Sequence, residues 1–455
     1  LNKLVSINPA TESVTFETSY WPDTQLSQVL DNVTSAATDW SDSSLNDRIK
    51  IFHTVGALLN ERRDELACLV TTEMGKVISE SHAEIDQCIT SCEFYAKHAR
   101  RFLADEQIAT DASRSYVAYQ PMGTVLGIAR WNSPLWQVFR VAVPALIAGD
   151  TFLLKHASNV PQCSLAIEQI LHDAGIPHSV FRSLMIHERQ LGNAYKDPRI
   201  GGIALSGSLQ TGRIVAQQTG AHLKKIAMEL DGAGAFVVLD DAPVESAVHN
   251  ALASALFTSG QSCINAKRFI VVKEVAEDFV SMLYNTIKTI NPGDPMDPQT
   301  RVGPLGRKDI REKLHQQIRT TIRMGADPIA GCYPGTGKGY YYQPSILDKV
   351  TKGMPAYDEV LLGPVLSIIY AKDERDAIRI ANDTKYAIGA SVWTRNKQRG
   401  EQIARQIQSG TVYVNDIVKN DIRVPFGGTK SSGVGRQGYR HGMLEFANAK
   451  TIWIG

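Results

Sequence analysis

Apolar positions recur at helical spacing through the first hundred residues. They fall at 26–37 and 47–70 (Ile49, Phe52, Val55, Leu59, then Leu66, Leu69, Val70), and Ser44 with Asp47 three residues on reads as a helix cap. A third amphipathic helix is predicted from about Val77 to Leu103. It places Cys88 and Cys92 four residues apart on one face, which reads as core packing rather than metal ligation because the sequence offers no further ligands.

The period then changes. Ser115–Gln120 alternates like a half-exposed strand, Pro121-Met122-Gly123 turns, and Val125–Ala129 reads as a buried strand. From there to about residue 240, strands at 152–155, 180–186, 202–205, 224–230 and 236–239 alternate with helical stretches at 135–148, 161–174 and 209–218. That alternation predicts right-handed βαβ units and a mostly parallel sheet. A second series follows, with helices near 244–258, 275–289, 306–324, 373–382 and 397–408 and strands near 268–272, 365–370, 388–393 and 411–415. The expected fold is α/β, with two Rossmann-like, doubly wound domains that meet near Asp231. The Pro/Gly-rich patch 331–339 reads as a surface loop.

Composition narrows the class. A chain of 455 residues with 43% hydrophobic and 21% charged residues has room for two or three domains. A net charge of +1 gives no basic face for nucleic acid or a membrane surface. The longest apolar runs, such as 141–148 and 269–272, fall far short of the roughly 18 residues that cross a bilayer. The opening LNKLVSINPATES has no signal pattern, although a start at Leu1 leaves a removed presequence open. Cys68, Cys88, Cys92, Cys163, Cys263 and Cys332 show no CxxC spacing, which argues for a reducing, cytoplasmic setting and against zinc.

Four short stretches carry chemistry. Cys263 sits in a Gly-Gln-Ser-Cys turn between a small-residue helix end and an apolar strand, held on rigid flanks yet reachable; a lone cysteine is otherwise core filling. Gly207-Ser208-Leu209-Gln210-Thr211-Gly212 follows a strand and opens a helix, so its N–H groups could hold a pyrophosphate, or it is a plain turn. Trp131-Asn132-Ser133-Pro134 follows another strand; its amide suits an oxyanion, and an Asx turn is the alternative. Glu229 ends the strand at 224–230, where apolar neighbours suit a carboxylate base, with simple surface placement as the alternative.

In order along the chain, NPATES, WNSP, LLKHAS, GSLQTG, MEL, SGQSC, GPV and PFGGTKSSGVGR make the sequence resemble the aldehyde dehydrogenase superfamily nearly end to end, most closely its succinate-semialdehyde dehydrogenases. The resemblance implies that Cys263 attacks the aldehyde carbon, that Asn132 and the Cys263 N–H hold the oxyanion, and that Glu229 activates the water that hydrolyses the thioester. It implies NAD or NADP as cofactor, bound by Trp131, Lys155, Ser158, Gly207, Ser208, Gly212, Leu230 and Leu362, and no metal. Arg140, on the helix after Asn132, would bind a distal substrate carboxylate beside Trp136, a plain helix-surface arginine being the alternative. Phe257 stands where some members carry a second arginine, which leaves room for other short or aromatic aldehydes. A small β extension, 107–120 with 441–455, would pair across subunits of a homodimer or homotetramer. The NAD(P)-binding domain would be 1–106 with 121–231, and the catalytic domain 232–440.

Some positions depart from the pattern. Val360 replaces the glutamate that grips the nicotinamide ribose, with Glu359 one place off register, and looser nicotinamide placement with slower hydride transfer is expected. Asp231 replaces a glycine and, if it points into the site, would raise the Glu229 pKa by like-charge repulsion. Ser158 replaces a glutamate that would repel a 2′-phosphate, so NADP should be tolerated. Arg130 and Ser133 are unusual and have no account from sequence. Two other readings compete: a weakly active or inactive binding protein on this fold, and an acylating dehydrogenase that releases its thioester to coenzyme A.

Overall fold

The computed structural model describes residues 3–455. Two sheets dominate. The first runs Gly433–Val434, Lys225–Glu229, Ile200–Ser206, Thr124–Ile128, Thr151–Lys155, Phe181–Ser183, parallel except for the first pair. Chain order reverses between Thr124–Ile128 and Ile200–Ser206, and the crevice beyond the carboxyl ends of two such strands is where open α/β sheets bind ligands. The second sheet runs Asp327–Ala330, Ser345–Asp348, Val365–Ala371, Ala266–Val272, Gly234–Val238, Gly389–Trp393, Thr411–Val414, with only the outermost Asp327–Ala330 antiparallel. Central strands such as Ala266–Val272 and Gly234–Val238 are buried along their whole length; Gly234–Val238 is apolar throughout, whereas Ala266–Val272 buries Lys267 and Arg268 before its apolar run 269–272.

Three expectations need correction. The apolar stretch 47–70 is two helices, Leu45–Glu61 and Arg63–Met74, because the chain breaks at Arg62 and Arg63 then forks onto Asp86 with both contacts at 2.7 Å. The strand expected at 236–239 lies in the second sheet, as Gly234–Val238. The tail does not reach across to another subunit for its partner: Ala447–Ile454 pairs with Arg114–Pro121 of its own chain, from Ala447↔Pro121 to Ile454↔Arg114. The preceding helix, Tyr439–Leu444, packs on Ile78–Phe102 and Trp136–Ala148, and this delivers the tail to the neighbouring strand. The Ser44 cap forms as expected, accepting the Asp47 N–H at 3.1 Å. Among the described residues no helix is long and apolar enough to cross a membrane.

Two buried clamps align the ends of these elements. Lys76 and Glu84 form an ion pair in the core; Glu84 Oε1 accepts the Leu135 and Trp136 N–H groups at 2.8 and 3.0 Å, while Lys76 donates to Ser133 Oγ at 2.9 Å. A carboxylate at the amino end of Trp136–Ala148 satisfies its free donors and its dipole, and so fixes the 131–135 turn. The second clamp is Lys267, 2% exposed, whose ammonium donates to the carbonyls of Gly260 and Gly363, the latter at 3.1 Å. It ties the loop before Cys263 to the turn before Pro364. Gly260 adopts φ +74°, and a Cβ there would overlap the Gly363 carbonyl, so only glycine fits. Beside it Thr258 and Ser259 are also left-handed, held by Glu80, which accepts the Thr258 N–H at 2.8 Å, and by Ser259 Oγ on the Gly303 carbonyl at 3.0 Å.

Removing one member of a buried pair leaves the other charge uncompensated, so Lys76→Met should cost about 3–5 kcal/mol of stability. A urea unfolding midpoint equal to wild type contradicts this. Burial lowers the Lys267 pKa to about 7. The folded state therefore binds fewer protons than the unfolded chain between that value and the ordinary lysine range, and Lys267 contributes a rise in stability as pH increases through this window. Lys267→Met should show a flatter rise in unfolding midpoint between pH ~7 and ~9 than wild type; parallel curves refute it.

Candidate active site

Cys263 and Glu229 come from different sheets and meet directly. Cys263 follows the left-handed loop that leads into Ala266–Val272, and Glu229 ends Lys225–Glu229. Sγ donates to Glu229 Oε1 at 2.8 Å, with both side chains buried. Gly232 makes the approach possible, since a Cβ there would overlap the Cys263 carbonyl. Burial first, and then the Glu229 carboxylate, push the thiol pKa well up, while Arg130 and Arg140 pull it down. The resting nucleophile is therefore a thiol whose proton already points at a base.

Asn132 is fully buried, its amide nitrogen donating to the Gln261 carbonyl at 3.0 Å, two residues before the cysteine. It thus faces the nucleophile loop, and Gln137 Nε2 meets its oxygen at 3.4 Å. Arg140, on the same helix, is 3% exposed and is not the surface arginine of the alternative reading. Its guanidinium pairs with Glu229 Oε2 and donates to Gln137 Oε1, and its Cζ lies 5.8 Å from the centre of the Phe426 ring. Phe426, Ile264, Ile388 and Val418 form an apolar cluster with Cys263, against which Phe257 and Tyr413 pack. Trp136 is buried with its indole N–H unpartnered. The candidate substrate residues Arg140 and Phe257 are accordingly brought to the nucleophile.

A cleft of about 580 Å³ opens at the reversal of chain order in the first sheet. Its lining includes Trp131, Lys155, Gly207, Ser208 and Leu362 of the sequence candidates, and it extends to Gln261 beside the cysteine loop. Lys155 is buried, donates to the His156 carbonyl at 2.6 Å, and has its pKa lowered by burial to about 8. His156, with its pKa pushed by burial to about 4, is neutral: Nδ1 accepts the Ala157 N–H and Nε2–H donates to the Pro134 carbonyl, both at 2.8 Å. Gly212, Leu230 and Ser158 do not line the cleft. A Cβ at 212 would meet the Leu230 side chain, so these two pack against each other, and the Leu230 N–H donates to the Ser432 carbonyl at 2.8 Å.

The helix end expected to hold a pyrophosphate is partly filled by the protein itself. Ser208 Oγ accepts the Thr211 N–H at 3.1 Å, and Asp231 Oδ2 accepts the Leu209 N–H at 2.8 Å. The other Asp231 oxygen pairs with Arg130 at 2.9 Å, and Arg130 also donates to the Gly207 carbonyl. This corrects the expectation that Asp231 would act on Glu229: its charge is spent on Arg130 and the helix dipole. It also accounts for Arg130, the partner of the substituted Asp231. Ser133 is accounted for by Lys76. Glu359 is exposed and bound to Gln317 Nε2 at 2.6 Å, whereas Val360 and Leu362 line the cleft, as the one-place shift in register implies.

The sequence gives no signal for Lys76, Lys267 or Gln137; for Glu84 it gives only a carboxylate on the buried face of Ile78–Phe102, and Lys76 lies in the link before that helix. A cluster with ligand-type spacing also occurs at Glu168, His172 and His178, with ligand atoms within 4.8 Å of one another, but Glu168 is already paired with Arg182 at 2.8 Å.

The model of the aldehyde dehydrogenase family matches residues 2–452. A protein of Synechocystis named as a probable NADP(+) succinate-semialdehyde dehydrogenase is 43% identical over 397 residues, 87% of each chain. The NAD(P)+ succinate semialdehyde dehydrogenase Sad of Escherichia coli is 36% identical over 449 residues, covering 99% of this chain and 97% of that one. The crystal structure of succinic semialdehyde dehydrogenase from Streptococcus pyogenes with NADP+ superposes with a TM-score of 0.97 at 32% identity, covering 99% of both chains. The cysteine–glutamate contact at the end of a dinucleotide-type cleft, and the match along almost the whole chain, place this protein in the aldehyde dehydrogenase family.

Proposed function

We propose that this protein oxidises succinate semialdehyde, or a closely similar short semialdehyde, to the carboxylic acid with NAD or NADP. The observation that carries the reading is the contiguous set Cys263, Glu229 and Arg140: a nucleophile touching its base, and a buried guanidinium one contact further on. A substrate with an aldehyde at one end and a carboxylate at the other matches that pair of groups in one short chain. The relatives named for succinate semialdehyde support the same choice.

The chain's own groups carry the chemistry as follows. Glu229 takes the Cys263 proton as Sγ bonds to the aldehyde carbon. The Asn132 amide and the Cys263 N–H hold the oxygen that becomes negative. Lys155, Trp131, Gly207, Ser208 and Leu362 would hold the nicotinamide cofactor, which accepts the hydride from the carbon bound to sulfur. Glu229 passes the thiol proton on to solvent and, ionised again, draws a proton from water, whose oxygen adds to the thioester carbon as the C–S bond breaks. Ser158 brings no carboxylate to repel a 2′-phosphate, which supports acceptance of NADP. The inactive-scaffold reading is not favoured, since it gives no reason for a buried thiol, base and guanidinium to converge. Release to coenzyme A is disfavoured by a base already positioned for water.

For assembly, the three-stranded sheet leaves Ala447–Ile454 as an edge, with Trp453 and Ile454 about half exposed. Such an edge suits pairing with a second copy in a homo-oligomer. A cytoplasmic, reducing setting keeps all six cysteines, which are free thiols, from oxidising.

Wild-type protein with succinate semialdehyde and NAD or NADP should raise absorbance at the reduced-nicotinamide band, and Cys263→Ala should reduce the rate by at least about a thousandfold. No reduction with either cofactor refutes the reading. Trp453→Asp should lower the mass seen by light scattering; an unchanged oligomer would exclude this edge as the interface.

A further inference from the structure

Arg140 holds the base that the reaction must set free. Glu229 Oε1 accepts from Cys263 and Oε2 is paired with Arg140, so the carboxylate is gripped from both sides. Once Cys263 is acylated its thiol contact is gone, and Glu229 has to turn toward water for hydrolysis. Arg140 opposes that turn. Its guanidinium is buried and, among the described residues, meets only Gln137 and Glu229 as hydrogen-bond or charge partners and leaves its Nε without an acceptor. A cation of this kind, short of acceptors, moves to a better carboxylate when one arrives. Glu229 touches both Sγ and the guanidinium, so the two are no farther apart than one carboxylate and its contacts, a gap a four-carbon chain can cross.

We infer that the Arg140–Glu229 pair is a substrate-operated release: the distal carboxylate of the bound semialdehyde takes Arg140 in exchange, and Glu229 is freed for the hydrolytic step. The inference rests on the proposed substrate class and adds to it that the distal carboxylate governs turnover as well as binding. An aldehyde without that carboxylate still acylates Cys263, because the Cys263–Glu229 contact is in place. Its thioester then waits, since Glu229 stays on Arg140. In the hydrolysis Glu229, having passed the thiol proton to solvent, takes one proton from water as the water oxygen bonds to the acyl carbon, and the C–S bond breaks to give the thiolate and the carboxylic acid.

The test compares succinate semialdehyde with butanal in stopped-flow records of nicotinamide reduction by the full protein with NAD or NADP. With butanal, wild type should give a burst near one equivalent per chain, followed by a steady rate slower by about tenfold or more; with the semialdehyde the burst should be absent. Arg140→Leu should remove the butanal burst and raise its steady rate by about tenfold while raising KM for the semialdehyde, whereas Arg140→Lys, which keeps the charge, should retain the burst. Propionate added to wild type turning over acetaldehyde should speed the steady phase, a readout that needs no variant to fold. Equal burst behaviour for the two aldehydes, or no effect of propionate, overturns the inference while leaving semialdehyde oxidation intact. Absence of any semialdehyde oxidation overturns the proposed function itself.

Discussion

A single carboxylate, Glu229, joins the two halves of this molecule. It ends a strand of the first sheet, touches the cysteine that leads into the second, and pairs with an arginine on a crossover helix of the first. A buried carboxylate is costly to strip of water and persists only with a charge partner and donors in good geometry. The Cys263 thiol is the donor, to Oε1, and Arg140 the charge partner of Oε2, which has no hydrogen bond among the described residues, so the helix, the strand end and the cysteine loop must keep their relative places. The clamps described above serve that requirement: Lys76 and Glu84 set the helix start, and Lys267 sets the loop.

The cysteine loop shows what this precision requires of the backbone. Thr258, Ser259 and Gly260 follow one another in the left-handed region, a conformation that two of them, carrying a Cβ, adopt at a cost of order 1–3 kcal/mol each. Local contacts from Glu80, Gly303 and Lys267 hold them there. The strain is confined to the turn that presents the nucleophile, while its flanking strand is regular and buried along its length. Around the cofactor cleft a different compensation operates, in which Asp231 and Arg130 neutralise each other and close off one helix-end donor.

What was legible in the sequence follows from what kind of interaction made each feature. Helices such as Leu209–Gly220 and strands such as Ala266–Val272 depend on local period and were placed within a few residues. The ordered motifs brought Cys263, Asn132 and Glu229 forward, and the structure does gather them. One miss was local, the break at Arg62 that splits 47–70 into two helices; the others were long-range. Lys76 reaches Ser133 across 57 positions and Arg130 reaches Asp231 across 101, distances at which no period or spacing links the partners. The tail strand and its partner segment near 107–120 are both legible in the sequence; that they meet within one chain depends on where the helix Tyr439–Leu444 docks. Gly212 and Leu230 belong to the GSLQTG and MEL motifs, but which way their side chains face is set by packing, which turns them toward each other and out of the cleft lining.

The central claim is that Cys263 carries the acyl group and Glu229 discharges it. Rapid quenching during turnover of succinate semialdehyde, followed by peptide mass spectrometry, tests this most directly. The account predicts a succinyl adduct on the peptide containing Cys263, transient when Glu229 is present and accumulating in whatever fraction Glu229→Gln still acylates. Turnover with no adduct on Cys263, or an adduct on another residue, would contradict it.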